Sequence, residues 1–250
     1  MKVLVVCKYP KGKEESKVLK LIEKYFEPVY AWRNNLSKKH LDNIDFVIAI
    51  GGDGTVLSAS HYLIDKPILA VNSSPKTSEG ALTTIRIDQL EEKLKEIKSK
   101  NFRQENLERI EVLINNKPLD LLSLNEVFIA NEKAYLVSKY KIRFRNKIEE
   151  QRSSGLIFST GTGSTAWFKS AGGTPFSPQS KFIEMIIREP YIGRILKFSN
   201  LKETIRENEE FEIIPLVPSV IAIDSIREYR VKGKDIIKIR ISKHPLRRII

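Results

Sequence analysis

Apolar residues fall into short blocks whose spacing changes partway along the 250 residues. Val3–Val6 and Phe46–Ile50 are continuous apolar runs of strand length, as is Ile68–Val71. Such runs belong to parallel strands covered on both faces. Between Glu14 and Phe26, Val18, Leu19, Ile22, Tyr25 and Phe26 recur at helical spacing. Thr55–Leu63 reads as a short helix and Asp88–Lys100 as a charged amphipathic one. Alternating strands and helices predict an open α/β domain over residues 1–101. After Phe102 the blocks shorten and turn residues separate them. Glu108–Ile114, Val127–Ile129, Lys139–Phe144 and Gly155–Phe158 read as strands, as do Phe211–Ile214, Val220–Ile223 and Ile236–Ile241. They predict a second, mostly β domain of sandwich type over residues 102–227. A tail at about 228–250 is free to return to the first domain.

Composition narrows the class. With 41% hydrophobic and 30% charged residues, the chain matches a globular protein. The first apolar run ends at Lys8, far short of a secretory or membrane-spanning stretch. Cys7 is the single cysteine, which excludes an intrachain disulfide. The expectation is a cytoplasmic protein with no membrane partner. A net charge of +12 favours anionic ligands, although scattered basic residues equally describe a solvated surface. The one local basic cluster, Lys243, Arg247 and Arg248, reads as a solvated end. No helix-turn-helix or aromatic β platform supports nucleic-acid binding.

Three segments carry candidate chemistry. Ile50-Gly51-Gly52-Asp53-Gly54-Thr55 follows a buried strand and opens a helix. Ligands of open α/β sheets bind at the carboxyl ends of strands, where glycines and helix-start amides approach phosphate. A carboxylate there repels phosphate unless it binds metal or takes a proton, so Asp53 suggests phosphoryl transfer. The competing reading is a tight turn in which Asp53 caps the helix. Gly161, Gly163 and Ala166 match G-x-G-x-x-A, but Gly172-Gly173-Thr174-Pro175 follows where a βαβ unit should continue. Asn125-Glu126 precedes a strand. Such a pair reads ribose hydroxyls or an adenine edge, or is a polar turn. No Walker loop occurs, and His40, His61 and His244 are too dispersed for a metal site, His61 reading as a surface or packing residue.

In their order along the chain the three segments resemble the NAD kinase family, with its G-G-D-G-T loop, its N-E pair and its T-G-S-T-A-Y stretch leading into S-A-G-G. Here these are Gly51–Thr55, Asn125-Glu126, and Thr162–Trp167 followed by Ser170-Ala171-Gly172-Gly173. The resemblance runs from Val3 to about Pro178. Val71-Asn72-Ser73-Ser74-Pro75 through Ser78-Glu79-Gly80 looks like the animal mitochondrial type. So do Leu124–Ile129, Ser153-Ser154-Gly155 and Ile187-Arg188-Glu189-Pro190.

The resemblance implies an ATP- or polyphosphate-dependent kinase acting on the adenosine ribose 2′-hydroxyl of NAD, with Mg²⁺ arriving on the nucleotide and no metal ligands of its own. Asp53 would be the base, and Gly51, Gly52, Gly54 and Thr55 would line the phosphates. Asn125, Glu126, Ser154, Thr162 and Gly163 would hold NAD, walled by Thr165, Ala166, Trp167 and Ser170. A homodimer or homotetramer is implied. Two departures stand out: Ser154 replaces an aspartate of many members, and the region after Pro178 lacks the bacterial proline–histidine motif. A diacylglycerol-type lipid kinase and a turnover-free NAD(P) sensor are the alternatives.

Overall fold

The computed structural model describes residues 1–8, 13–73, 75, 79–193 and 201–250, residues 13–16 in their backbone alone. Ser74 and Ser78 of the subgroup motif lie outside the described residues. The chain divides into two units, Met1–Leu107 with Pro245–Ile250, and Glu108–His244.

The first unit contains β1 (Lys2–Cys7), α1 (Lys13–Glu23), β2 (Glu27–Trp32), β3 (Phe46–Gly51), α2 (Asp53–Ser60), β4 (Ile68–Asn72), β5 (Ile85–Arg86), α3 (Leu90–Lys98) and β6 (Gln104–Leu107). In the second unit follow β7 (Ile110–Ile114), β8 (Lys117–Pro118), β9 (Glu126–Asn131), β10 (Ser138–Phe144), β11 (Lys147–Ser153), β12 (Gly155–Ser159), α4 (Trp167–Ser170), β13 (Phe182–Arg188), β14 (Lys202–Arg206), β15 (Phe211–Pro215), β16 (Ser219–Ile223), β17 (Arg227–Val231) and β18 (Ile237–Ile241). The last strand, β19 (Leu246–Ile249), belongs to the first unit.

The first sheet runs β2-β1-β3-β4-β19-β6, with β5 beside β4. β1 to β4 are parallel, and every residue of β3 and β4 is buried, as continuous apolar runs require. Alternate residues Val3, Val5, Ile48, Ile50, Leu69 and Val71 pack with Val18, Leu19 and Ile22 of α1 and Leu90, Leu94 and Ile97 of α3. α2 is buried from Thr55 to Ser60, and His61 after it is also buried, not on the surface. β2 escaped the sequence pattern because its Glu27 and Pro28 interrupt the apolar run at an edge.

The second unit holds two six-stranded sheets, β11-β10-β15-β18-β7-β8 and β14-β13-β12-β9-β16-β17. They meet face to face through rings such as Phe158 and Phe211, 5.2 Å apart in edge geometry. β10 shows why the alternating pattern was legible: its burial alternates at every residue.

The returning tail is shorter than residues 228–250. β17 and β18 stay in the second unit because β17 pairs with β16 and β18 with both β7 and β15, and only Pro245–Ile250 returns. Nor is the tail's basic cluster merely solvated. β19 inserts between β4 and β6, and Arg248 pairs with Glu105 at 2.6 Å.

Candidate active site

The order β2-β1-β3-β4 reverses direction at β1/β3, the position where flavodoxin-like sheets hold phosphate ligands. The glycine loop leaves β3 there. A side chain at Gly51 would put its Cβ 2.3 Å from Thr55 Oγ1, so only glycine fits. The Thr55 hydroxyl is buried and has no hydrogen-bond partner among the described residues. Gly52 is the N-cap of α2, and its carbonyl accepts the Thr55 N–H at 2.9 Å.

Asp53 therefore does not cap α2; it is the first helical residue. Its half-buried carboxylate accepts the backbone N–H of Leu82 at 2.8 Å and of Ala81 at 3.2 Å. Each oxygen uses one acceptor position on an amide and keeps another for a proton or ligand. Arg33, just beyond the carboxyl end of β2, lays its guanidinium against Gly54; Nη1 is 3.0 Å from where a Cβ would stand. Arg33 is half-buried and forms no ion pair or hydrogen bond with a described residue. Sequence reasoning missed it because nothing local links position 33 to position 54.

The second locus lies in the second unit. Asn125-Glu126 enters β9, flanked by β12 and β16. Its shape is set by Asp224, which accepts the Ser123 hydroxyl at 2.6 Å and the N–H groups of Leu124, Asn125 and Glu126 at 3.0, 2.8 and 3.1 Å. Asp224 follows β16 with φ of 50°, a left-handed turn that swings its carboxylate back under the loop. A lone Asp-Ser pair after a strand gave no signal in the sequence.

Glu126 is 4% exposed. Its Oε1 accepts the Ser225 hydroxyl at 3.2 Å, and its Oε2 has no partner among the described residues. Burial, reinforced by the Asp224 charge, pushes the Glu126 carboxyl up to about 7. Arg109 is fully buried nearby. It donates Nε–H to the His244 carbonyl at 2.7 Å, and burial brings its guanidinium down to about 10, an effect that the Asp224 charge opposes.

The glycine–threonine segment packs on this locus. Thr160 donates its N–H to the Asn125 carbonyl at 3.0 Å and its hydroxyl to the Leu124 carbonyl at 2.6 Å. A Cβ on Gly163 would stand 2.2 Å from the Asn125 carbonyl oxygen. Gly163–Thr165 then forms a 3₁₀ turn, leaving Thr165, Ala166 and Ser170 exposed, while the Thr162 hydroxyl is buried without a partner among the described residues. Trp167 stacks obliquely on Phe128, ring centroids 4.6 Å apart, and the Arg188 guanidinium lies 5.5 Å from its ring.

Ser154 does not join this group directly. It precedes Gly155 at the start of β12, whereas Thr160–Ala166 follow its other end, a separation of about 15 Å at strand rise. Its hydroxyl donates to Glu189, whose carboxyl that bond and then Arg188 hold below the usual range. Arg188 thus links Ser154's partner to Trp167.

Among the described residues no group of three or more His, Cys, Asp or Glu stands close enough to hold a metal, and no helix is long and apolar enough to cross a membrane. Residues 3–102 match the ATP-NAD kinase N-terminal domain and residues 124–249 the ATP-NAD kinase C-terminal domain. The chain belongs to the NAD kinase family.

The NAD kinase of Methanosarcina barkeri is 29% identical over 211 residues, covering 82% of this chain and 73% of that one. A probable NADH kinase of Oryza sativa subsp. japonica is 33% identical over 184 residues, 65% of this chain and 56% of the rice protein. The crystal structure of an Archaeoglobus fulgidus NAD kinase in complex with ATP shares the fold with a TM-score of 0.80 at 24% identity, covering 99% of this chain and 92% of that chain. Yeast NADH kinase complexed with NADH has a TM-score of 0.83 at 16% identity, covering 100% and 83%. Membership makes the chain a phosphotransferase with a hydroxyl acceptor. The lipid-kinase and sensor alternatives are not favoured, since both units match this family.

Proposed function

We propose that this chain transfers the γ-phosphoryl group of ATP to the 2′-hydroxyl of the NAD adenosine ribose, giving NADP and ADP. The observation that carries this reading is Asp53: a half-exposed carboxylate at the sheet's switch point, fixed by two amides and with acceptor positions to spare. Asp53 takes the hydroxyl proton as the 2′-oxygen bonds to the γ-phosphorus, and the bond from that phosphorus to the β–γ bridging oxygen breaks. The electron pair of the broken bond leaves with ADP.

Gly51, Gly52, Gly54 and Thr55 form the phosphate cradle, with Arg33 as an added cation over Gly54. Asn125, Glu126, Thr162, Gly163, Thr165, Ala166, Trp167 and Ser170 hold NAD, and Ser154 reaches it through the Glu189–Arg188 chain. Asp53 is the only acid in the glycine loop, which fits a metal brought by the nucleotide and not one caged by the protein. Mg²⁺ on the triphosphate supplies neutralisation of the phosphate charge.

In motif detail the chain reads as the animal mitochondrial type, and its composition favours the cytoplasm. Exposed apolar residues of the second unit, Tyr135 at 80% and Ile148 at 64%, favour a homodimer or homotetramer. Incubation with NAD, ATP and Mg²⁺, with NADP read by a coupled dehydrogenase, tests the reaction. NADH is run alongside because of the rice relative's name, and polyphosphate replaces ATP in a third arm. Absence of phosphorylated product in every arm refutes the reading.

A further inference from the structure

We infer that Arg248, on the last strand of the chain, is a positioning residue for Asp53, acting through the Ala81–Leu82 turn; the inference rests on the phosphotransfer reading above. Two hydrogen-bonded steps connect them within the first unit, and a third anchors Arg248. The Asp53 carboxylate accepts the N–H of Ala81 and Leu82 at 3.2 and 2.8 Å. The Leu82 carbonyl, on the same residue, accepts Arg248 Nη1–H at 3.0 Å. Arg248 is itself locked by Glu105, whose Oε1 accepts Nε–H at 2.9 Å and Nη2–H at 2.6 Å. Both side chains of that pair are largely withdrawn from water, at 12% and 17% exposure.

The covalent path between these groups is long, yet the spatial path is one residue wide. Leu82 has one N–H and one carbonyl, and each is committed to one end of the chain of contacts. Its side chain is buried, so the residue is held at three points. Gly80, just before, stands at φ of 66°, and a Cβ there would meet Asn72 Nδ2 at 2.4 Å. The turn that grips the base therefore has little freedom to adjust by itself. A guanidinium suits the brace because its planar fork serves the carbonyl and the carboxylate together, which an ammonium does less well. A base must sit within hydrogen-bond reach of its hydroxyl, so small displacements of its support reduce turnover before they reduce binding.

The test uses the full chain with Arg248→Met, Arg248→Lys and Glu105→Gln. Positioning predicts that Arg248→Met lowers kcat about ten-fold, the lower end for residues supporting a reactive group, with KM for ATP and NAD unchanged within about two-fold. Arg248→Lys recovers part of kcat, and Glu105→Gln, which only loosens the lock, falls between wild type and Arg248→Met. A role confined to holding β19 predicts lower melting temperatures with wild-type kcat below them. That result, or a rise in either KM in place of a fall in kcat, overturns the inference. Glu105→Gln retains the Oε1 acceptor that takes both Arg248 N–H groups and loses only the charge, so it keeps the test open if Arg248→Met does not fold. Amide exchange at Ala81 and Leu82, measured without substrate, separates this inference from the function on which it rests. Faster exchange in Arg248→Met supports the brace even if no NADP is formed by any variant, and unchanged exchange sinks it even if wild type is an active kinase.

Discussion

The glycine loop of the first unit and the Asn125-Glu126 locus of the second both place a carboxylate among backbone amides, and they do it in opposite ways. Asp53 is presented from a helix start, half open to solvent, with two amides holding its direction. Glu126 is almost fully covered, and the amides around it belong instead to Asp224, which takes three N–H groups and a hydroxyl. An acid meant to exchange protons with a substrate must stay accessible. An acid meant to shape a recognition loop is best buried and saturated with donors. Between these two sits Glu126, buried like Asp224 but with one oxygen lacking a partner among the described residues, and it responds by holding its proton to about 7.

The sharpest way to break this contrast is to remove Asp224. Asp224→Ala strands three amides and withdraws a negative charge close to the buried Arg109, so the cost expected is about 3–5 kcal/mol in denaturant unfolding. A loss under about 1 kcal/mol would mean that Asp224 does not build the locus.

The next effect is a pH dependence. The folded-state value of the Glu126 carboxyl is raised from 4.5 to about 7, so the folded form binds its proton more tightly than the unfolded chain does. Its contribution is complete below about 4.5 and is lost as pH rises through 7, a span worth on the order of 3 kcal/mol. Glu126→Gln should flatten the fall in stability between pH 5 and pH 8. An identical pH profile for variant and wild type would show that Glu126 is not the titrating group.

The complementary change in the first unit is Asp53→Asn. It should keep NAD binding while kcat falls at least ~10²-fold, the usual scale of a general base. Wild-type turnover in that variant would place the base elsewhere. The smallest effect expected is at Arg33. Arg33→Met should raise KM for ATP about ten-fold, the scale of one hydrogen bond to a charged group, and leave KM for NAD nearly constant. A shift in the NAD value alone would move Arg33 out of the phosphate cradle.

Much of the first unit was readable because its strands are buried on both faces and so appear as unbroken apolar runs, Phe46–Ile50 being the clearest. The glycine loop was readable because its working parts are consecutive: strand end, turn, acid and helix start fall within six residues. The second locus was readable only in part. Asn125, Glu126 and Gly163 could be named, but not the reason they come together. β11 and β14 were missed because Lys147–Ser153 and Lys202–Arg206 are charged edge strands with little apolar signal.

By itself the sequence determined many of the buried elements and which residue types line the two loops, because burial periodicity and turn chemistry act over a few neighbouring residues. Only the tertiary structure decided that Asp53 grips the turn after β4 and does not cap its own helix, that Asp224 supports Asn125 from about a hundred residues away, and that Arg248 at the end of the chain braces Leu82. Those partners are chosen by strand order and left-handed turns, and hydrogen bonds between such distant positions leave no periodic mark on the sequence.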